Sequence, residues 1–355
     1  MSPLLLAWYD AQGRDLPWRR TRDAYSVWVA EIMLQQTTVA TVLGYYPRFL
    51  AQFPHLTALA TAPLEAVLSA WQGLGYYRRA RHLHQAAGQI LAHHGGQLPA
   101  DAAALEALPG IGRSTAHAIL AIAHDQPRAI LDGNVKRVLS RLMGLALPPD
   151  RPEALRQLWI LAQALTPEHR PGDYTQAIMD LGATCCTPRR PACPTCPWAA
   201  HCQALASGRP ESYPHPAPSR SARPRARQRS AWVRVDSGSV LMRQRPASGL
   251  LGGLWEPPGG PERGDECRPI QQVLAEDWHL DVALVRPLPP VRHVFTHFSL
   301  TVESWECRLT ALLPPQSPFV AIPLDAITQL PLATLHRKLL AAWQDADHVA
   351  SESPL

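Results

Sequence analysis

The 355-residue sequence predicts an all-α domain followed by an α+β domain, and three observations carry that expectation. Apolar residues recur at three- and four-residue spacing as far as about residue 205. The stretch SGRPESYPHPAPSRSARPRARQRS at 207–230 then holds almost no large apolar side chain; it cannot bury a core and reads as an extended, cationic linker. Beyond it the period of the apolar pattern becomes two. The expected boundaries are therefore 1–206, 207–229 and 230–345.

In the first part the helical windows are 24–44, 62–71, 78–92, 101–107, 113–124, 134–145, 152–164 and 173–183, separated by glycine or proline. After the linker, AWVRV, the turn DSGS and VLMRQRP read as a hairpin. The run VRHVFTHFSLTVESWECRLT puts Phe298, Leu300 and Val302 on one face. Helical patterns at about 266–278 and 334–344 complete this part, and no repeat of solenoid period interrupts either.

The formal net charge is +5, and nearly all the positive charge is arginine, with lysine only at Lys136 and Lys338. Arginine favours bidentate phosphate contact, so nucleic acid is the expected partner class. The leading MSPLLLAWYD has a three-leucine run too short for a secretory leader, and no segment approaches the ~18 apolar residues of a membrane span. No membrane association and a reducing, cytoplasmic setting are expected.

Five of the seven cysteines fall within CCTPRRPACPTCPWAAHC, residues 185–202. In a reducing compartment such a cluster reads as a metal site rather than as disulfides. From Cys186 the spacing is C-x6-C-x2-C-x5-C, with a single short knuckle. Structural zinc sites pair two knuckles, whereas a compact run of four thiolates with intervening proline is closer to iron–sulfur ligation. Zinc stays open on spacing alone, and Cys185 could replace Cys186. Cys267 and Cys307 read as small apolar residues.

Three further stretches carry chemistry. ALPGIGRSTAHAIL (107–120) sets Gly110 and Gly112 directly before a helix, where bare backbone N–H groups can approach a phosphate. Glu31, in VWVAEIMLQQTT, lies at helical spacing from Val27, Trp28, Leu34 and Gln35. Burial there raises a carboxyl's pKa, which suits a proton donor. Asp132 follows Ala-Ile-Leu and precedes Gly-Asn-Val-Lys-Arg-Val, a helix N-cap position where N–H donors and Lys136 favour the anion. One neutral acid and one carboxylate are what glycosidic-bond cleavage needs. In GLGYYRRARHL (73–83), tyrosines at a glycine-marked turn precede three arginines, a pattern that suits a wedge into stacked bases.

Together SVWVAEIMLQQT, GLGYYRRARHL, LPGIGRSTAHAI, LDGNVKRV, QAIMDLGATCC and the four-cysteine loop resemble the endonuclease III superfamily, and within it the MutY-type adenine DNA glycosylases. The resemblance runs in order from about residue 14 to 202. It implies an all-α helix-hairpin-helix glycosylase domain with an iron–sulfur loop, divided into a six-helix lobe at about 24–130 and a cluster lobe of 1–23 and 131–206. It further implies a [4Fe–4S] cluster on Cys186, Cys193, Cys196 and Cys202. Glu31 would protonate adenine and Asp132 would stabilise the sugar cation. Tyr76 and Gln35 would enter the base stack, with Gln36, Leu108, Gly110, Gly112, Ser114 and Lys136 also at the DNA. Trp18, Arg19, Leu34 and Gln176 would line the adenine pocket. The implied partner is double-stranded DNA bearing adenine opposite 8-oxoguanine or guanine, engaged by a monomer in the cytoplasm at the nucleoid, with the target base flipped out.

Bifunctional relatives carry a lysine nucleophile where this chain has Ser114, so hydrolysis by water without a Schiff base is expected. The second part resembles the family's α+β Nudix-like domain. Gly260 and Glu266 match the start of a Nudix box, but Leu274, Ala275, Trp278 and His279 stand where metal-binding glutamates would be. Mg²⁺ requires carboxylate oxygens, so hydrolase chemistry is not expected there. Phe295, Thr296 and His297 fall at the family's lesion-recognition loop. The rivals are an endonuclease III-like glycosylase/lyase and a non-catalytic iron–sulfur DNA-binding protein.

Overall fold

The computed structural model describes residues 1–215, 224–261 and 268–351. Helices α1 (Ser2–Gln12), α2 (Ala24–Leu34), α3 (Val39–Gln52), α4 (Leu56–Thr61), α5 (Leu64–Ala70), α6 (Arg78–His93), α7 (Ala102–Glu106), α8 (Arg113–His124), α9 (Gly133–Met143), α10 (Pro152–Leu165), α11 (Pro171–Asp180) and α12 (Gln203–Ala206) make up the first part. Strands β1 (Arg225–Arg234), β2 (Ser239–Gln244), β3 (Trp255–Glu256) and β4 (Gly259–Pro261) follow. Helix α13 (Ile270–Trp278), β5 (Val282–Val294), β6 (Ser299–Leu309), β7 (Val320–Pro323) and α14 (Thr334–Ser351) complete the chain. Among the described residues no helix is long and apolar enough to cross a membrane.

The chain divides into two compact units, residues 1–62 with 82–219, and residues 63–81 with 220–355. The segment 63–81, expected within the glycosylase domain, thus groups with the second unit. There the Tyr77 hydroxyl donates to the Leu332 carbonyl at 3.2 Å, and Arg81 donates to the Gly252 carbonyl at 2.6 Å.

In the first unit α8 packs against α2 and α11, and α1 against α11. The window expected as one helix over 24–44 is two. Gln36 takes the left-handed conformation (φ 57°), and Thr38 caps the next helix by accepting from the Thr41 N–H. Ser and Thr compete with helical hydrogen bonding and favour such caps. Helix α1, outside the predicted windows, buries only Leu5 and so has no strong stripe to read. After α11 the chain widens into a π turn, Leu181–Cys185, that delivers the cysteine loop. Gly182 makes this possible, since a side chain there would meet the Asn134 Cβ at 2.7 Å.

In the second unit the sheet runs β3-β2-β1-β6-β5, with β4 also paired to β1 and β7 to β2. Central β1 is parallel to β6 from Arg225↔Ser299 to Arg234↔Arg308 and antiparallel to β2. Its alternation serves two cores. Trp232 faces α14 with Leu300, Val302, Leu339 and Trp343, stacking on Trp343 with ring centroids 4.9 Å apart. Ala231 and Val233 face α13 with Val273, Leu274 and the buried Cys307. The strand opens at Arg225, inside the stretch expected as linker. Backbone pairing to β6 outweighs the arginine-rich composition, because long guanidinium side chains reach solvent or acids such as Glu303. The start of that stretch, 207–215, groups with the first unit, where Arg141 Nε donates to the Tyr213 carbonyl at 2.9 Å; residues 216–223 lie outside the described residues, as do Glu266 and Cys267.

Candidate active site

Glu31 is the only carboxyl on α2, a helix capped by Asp23, which accepts from the Ser26 N–H at 2.8 Å. Tyr25, Val27, Trp28, Val29, Ala30, Ile32 and Met33 are all buried, so this helix is interior on every side rather than amphipathic. Glu31 lines a cavity of about 470 Å³ shared with Leu16, Trp18, Arg19, Leu34, Asp132 and Gln176. Burial, then the Asp132 charge, pushes its carboxyl up to about 7, while Arg19 pulls it back.

Asp132 is the N-cap of α9 and accepts the Val135 N–H at 2.7 Å. Burial raises its carboxyl, opposed by the Val135 and Asn134 N–H groups and then by Arg137 and Lys136. The expected support from Lys136 is therefore the smallest of these. Its ammonium points instead to Asp150, at 2.7 Å, because an exposed carboxylate needs no desolvation of the lysine. Both carboxyls line one cavity, and Asp132 has two N–H donors and two cations against Glu31's single arginine. These surroundings favour the anion on Asp132 more than on Glu31.

A shallower groove, lined by Glu31, Gln35, Gln36, Ser114, Asp132 and Arg137, continues from the cavity. The hairpin turn lies beside it. The Ile111 N–H donates to the Leu108 carbonyl at 3.2 Å, and Gly112 opens α8 with no side-chain cap, leaving first-turn N–H groups presented as an anion site requires. Gly110 has φ +80°, and a Cβ there would meet His82 at 2.8 Å. Leu108, expected at the DNA, is buried; its side chain anchors the turn, which leaves only its backbone for such a contact. Gln35, expected in the base stack, has its amide tied to the Gly110 carbonyl and Thr115 Oγ1, each at 3.3 Å. Its neighbour Gln36 is the exposed one, held out by its left-handed backbone. Ser114 accepts the Leu131 N–H at 2.9 Å and so braces the segment entering Asp132.

Trp18, Arg19, Leu34 and Gln176 line this one cavity. Sequence reasoning missed Arg14, Asn134 and Met179, which also line it. Asn134 was within reach, lying two residues past Asp132; Met179 follows Gln176 by three on α11, the same helix face.

Cys185, Cys186, Cys193, Cys196 and Cys202 wall one small cavity together with Arg141. Among the described residues no three His, Cys, Asp or Glu side chains converge as a single metal ion needs. Arg141, buried, donates to Cys186 Sγ at 3.3 Å and to the carbonyls of Thr187 and Pro188. Cys185 donates to the Ala192 carbonyl at 3.3 Å. Cys202 likewise donates to the Arg141 carbonyl at 3.4 Å, so these contacts do not separate Cys185 from Cys186. The donor set fits a thiolate-held cluster on Cys186, Cys193, Cys196 and Cys202.

In the second unit Tyr76 sits in the left-handed region (φ 49°), an uncommon conformation for a bulky residue, and its hydroxyl lies 3.3 Å from Thr296 Oγ1. Phe295, Thr296 and His297 form the tight turn between β5 and β6, closed by the Phe295 N–H to the Phe298 carbonyl at 2.9 Å. Phe295 stacks on Phe298, and Thr296 and His297 are exposed. Leu274 of α13 is fully buried, and Glu276 and Asp277 pair with Arg268, so the helix presents packing rather than metal ligands.

Two half-buried carboxyls thus share one cavity beside a helix–hairpin–helix turn in the first unit, and the second unit is built on a mixed sheet. Residues 29–163 match the HhH-GPD superfamily of base excision DNA repair proteins, and residues 230–342 match the NUDIX domain. The chain is 39% identical over 362 residues to the adenine DNA glycosylase of Mus musculus, covering 86% of this chain and 70% of that protein. It is 39% identical over 375 residues to that of Homo sapiens, covering 90% and 68%. The solved structure of a thermostable thymine-DNA glycosylase is similar at a TM-score of 0.54 and 28% identity, covering 58% of this chain and 95% of that one. A non-covalent endonuclease III–DNA complex shares the fold at a TM-score of 0.50 and 21% identity, covering 57% and 94%. The chain belongs to the adenine DNA glycosylase family, enzymes that hydrolyse N-glycosyl bonds of DNA in base-excision repair.

Gly110→Ala should destabilise the protein by more than about 1 kcal/mol and weaken duplex binding, because the turn needs a positive φ and close approach to His82. Chemical denaturation and duplex titration check this; an unchanged denaturation midpoint contradicts the assigned packing.

Proposed function

We propose that the enzyme removes adenine mispaired with 8-oxoguanine or guanine, with Glu31 as general acid and Asp132 as the stabilising carboxylate. The observation that carries the reading is the pair of carboxyls in one cavity with unlike surroundings. The target adenine enters the cavity by flipping from the duplex. Glu31 gives its proton to a ring nitrogen of adenine while the bond from the sugar C1′ to the base breaks, its electron pair leaving with the base. Asp132 faces the cation left on the sugar. Water then adds at C1′ and loses a proton, giving an abasic site.

Ser114 supplies no amine, and its hydroxyl is occupied by the Leu131 N–H. Lys136 is paired to Asp150. Both favour water as the nucleophile over a lyase route. The uncapped first turn of α8 suits a DNA phosphate, and Gln36 and Tyr76 suit insertion beside the flipped base. Thr296 and His297, exposed at the β5–β6 turn, offer polar groups to the base opposite adenine. Cys186, Cys193, Cys196 and Cys202 would hold a [4Fe–4S] cluster, and Arg141 and Arg137 of α9 tie their loop down by donating to Cys186.

Glu31→Gln should lower adenine release by at least about 10²-fold while leaving duplex binding nearly intact, since the proton is lost but size and polarity stay. Single-turnover base release with a parallel binding titration checks this, and near-normal release refutes the assignment. Anaerobically purified protein should be brown, with about four iron atoms per chain; stoichiometric zinc without iron would contradict the cluster. Thr296→Ala with His297→Ala should reduce the preference for 8-oxoguanine over guanine by about ten- to a hundredfold, one polar base contact being worth roughly 1–3 kcal/mol. Preference is measured as the ratio of release rates on the two duplexes, and an unchanged ratio would place lesion reading elsewhere.

A further inference from the structure

Asp180 ends α11, one turn after Gln176, and its side chain is fully buried. A carboxylate without solvent is costly unless its oxygens are hydrogen-bonded and its charge is met. Two arginines of the N-terminal segment do this. Arg14 donates from its backbone N–H at 3.1 Å and from Nε at 2.9 Å. Arg19 grips both oxygens, Nη1 on one and Nη2 on the other, each at 2.7 Å. Arg19 Nη1 also donates to the Arg14 carbonyl at 3.0 Å, and the guanidinium lies 5.5 Å from the Tyr9 ring centre. A fork held this way has one available geometry.

That fixed guanidinium is a wall of the cavity holding Glu31. Its presence poses a problem, because a bare cation beside a carboxyl lowers its pKa by about 1–3 units, and a general acid must keep its proton. We propose that Asp180 is a positioning residue for catalysis, fixing Arg19 at the wall of the adenine cavity and offsetting its charge there, so that Glu31 faces a compensated cation. The inference rests on Glu31 acting as the acid. The charged groups around Glu31 are Asp132, Arg14 and Arg19, with Arg137 in the adjoining groove. Around the clamp stand Tyr9, Asp173 and Arg170. Burial tends to raise the Asp180 carboxyl, but the arginine hydrogen bonds hold it below the usual carboxylate range, so it stays anionic wherever Glu31 titrates.

The test is single-turnover adenine release from full-length enzyme across pH, for the parent, Asp180→Asn, Arg19→Gln and the double variant, with bound iron and circular dichroism checking the fold. The rate should fall as pH rises through the Glu31 pKa. Asp180→Asn leaves Arg19 uncompensated, so that midpoint should drop by about one pH unit, about a tenfold loss of rate above the midpoint. Arg19→Gln should move the midpoint up, and adding Asp180→Asn in that background should lower it by clearly less than in the parent, because the cation that Asp180 fixes and offsets is gone. A folded Asp180→Asn enzyme with reduced rate but an unmoved midpoint, or an equal downward step in both backgrounds, would overturn the proposal. If Asp180→Asn does not fold, Arg19→Gln decides, an unmoved midpoint again overturning it. Glu31→Gln serves as control. If it stays active, the acid assignment fails; if it is inactive while the midpoints do not move, only the role of Asp180 fails.

Discussion

Two carboxyl groups facing one buried cavity cannot both carry charge cheaply, and the first unit is organised around which of them yields. Glu31 is given an interior helix, apolar on every side, and a single arginine. Asp132 is given a helix N-terminus, two backbone donors and two cations. Neighbouring features protect this asymmetry. Ser114 holds the Leu131 N–H just before the cap. Gly182 lets the turn toward the cysteine loop close against Asn134 just after it. The cysteine loop and the cavity are thus joined through one helix end.

A Nudix-type sheet with a helix on each face survives, but Leu274 packs into the core where a metal ligand would have to point outward, and the acids nearby are spent on Arg268. What remains exposed is the β5–β6 turn. Its stacked phenylalanines lie beside two exposed polar side chains, Thr296 and His297.

The carboxyl pair was legible in the sequence because each residue breaks its local pattern: Glu31 interrupts an apolar helix, and Asp132 stands between the apolar Ala-Ile-Leu and a helix start. The two-domain division was legible from the change of period. Where sequence reading fell short, tertiary contact decides. Gln35 and Gln36 differ only in backbone conformation, which sets one against the hairpin and the other outward. Lys136 goes to Asp150, a partner fourteen residues away. The arginine-rich start of β1 is a strand because β6 is available to pair with it. Asp180 looks like one acid in QAIMDLG until Arg14 and Arg19 arrive from the other end of the unit.

The most direct test of the central claim is the pH dependence of single-turnover adenine release by the unaltered enzyme on adenine opposite 8-oxoguanine, from about pH 5 to about pH 9. Glu31 has its pKa raised to about 7, so the protonated acid is present below that value and lost above it. The account predicts a rate that declines about tenfold per pH unit above about 7. A rate that stays level to the alkaline end, or rises with pH, would contradict a protonated Glu31 as the donor to adenine.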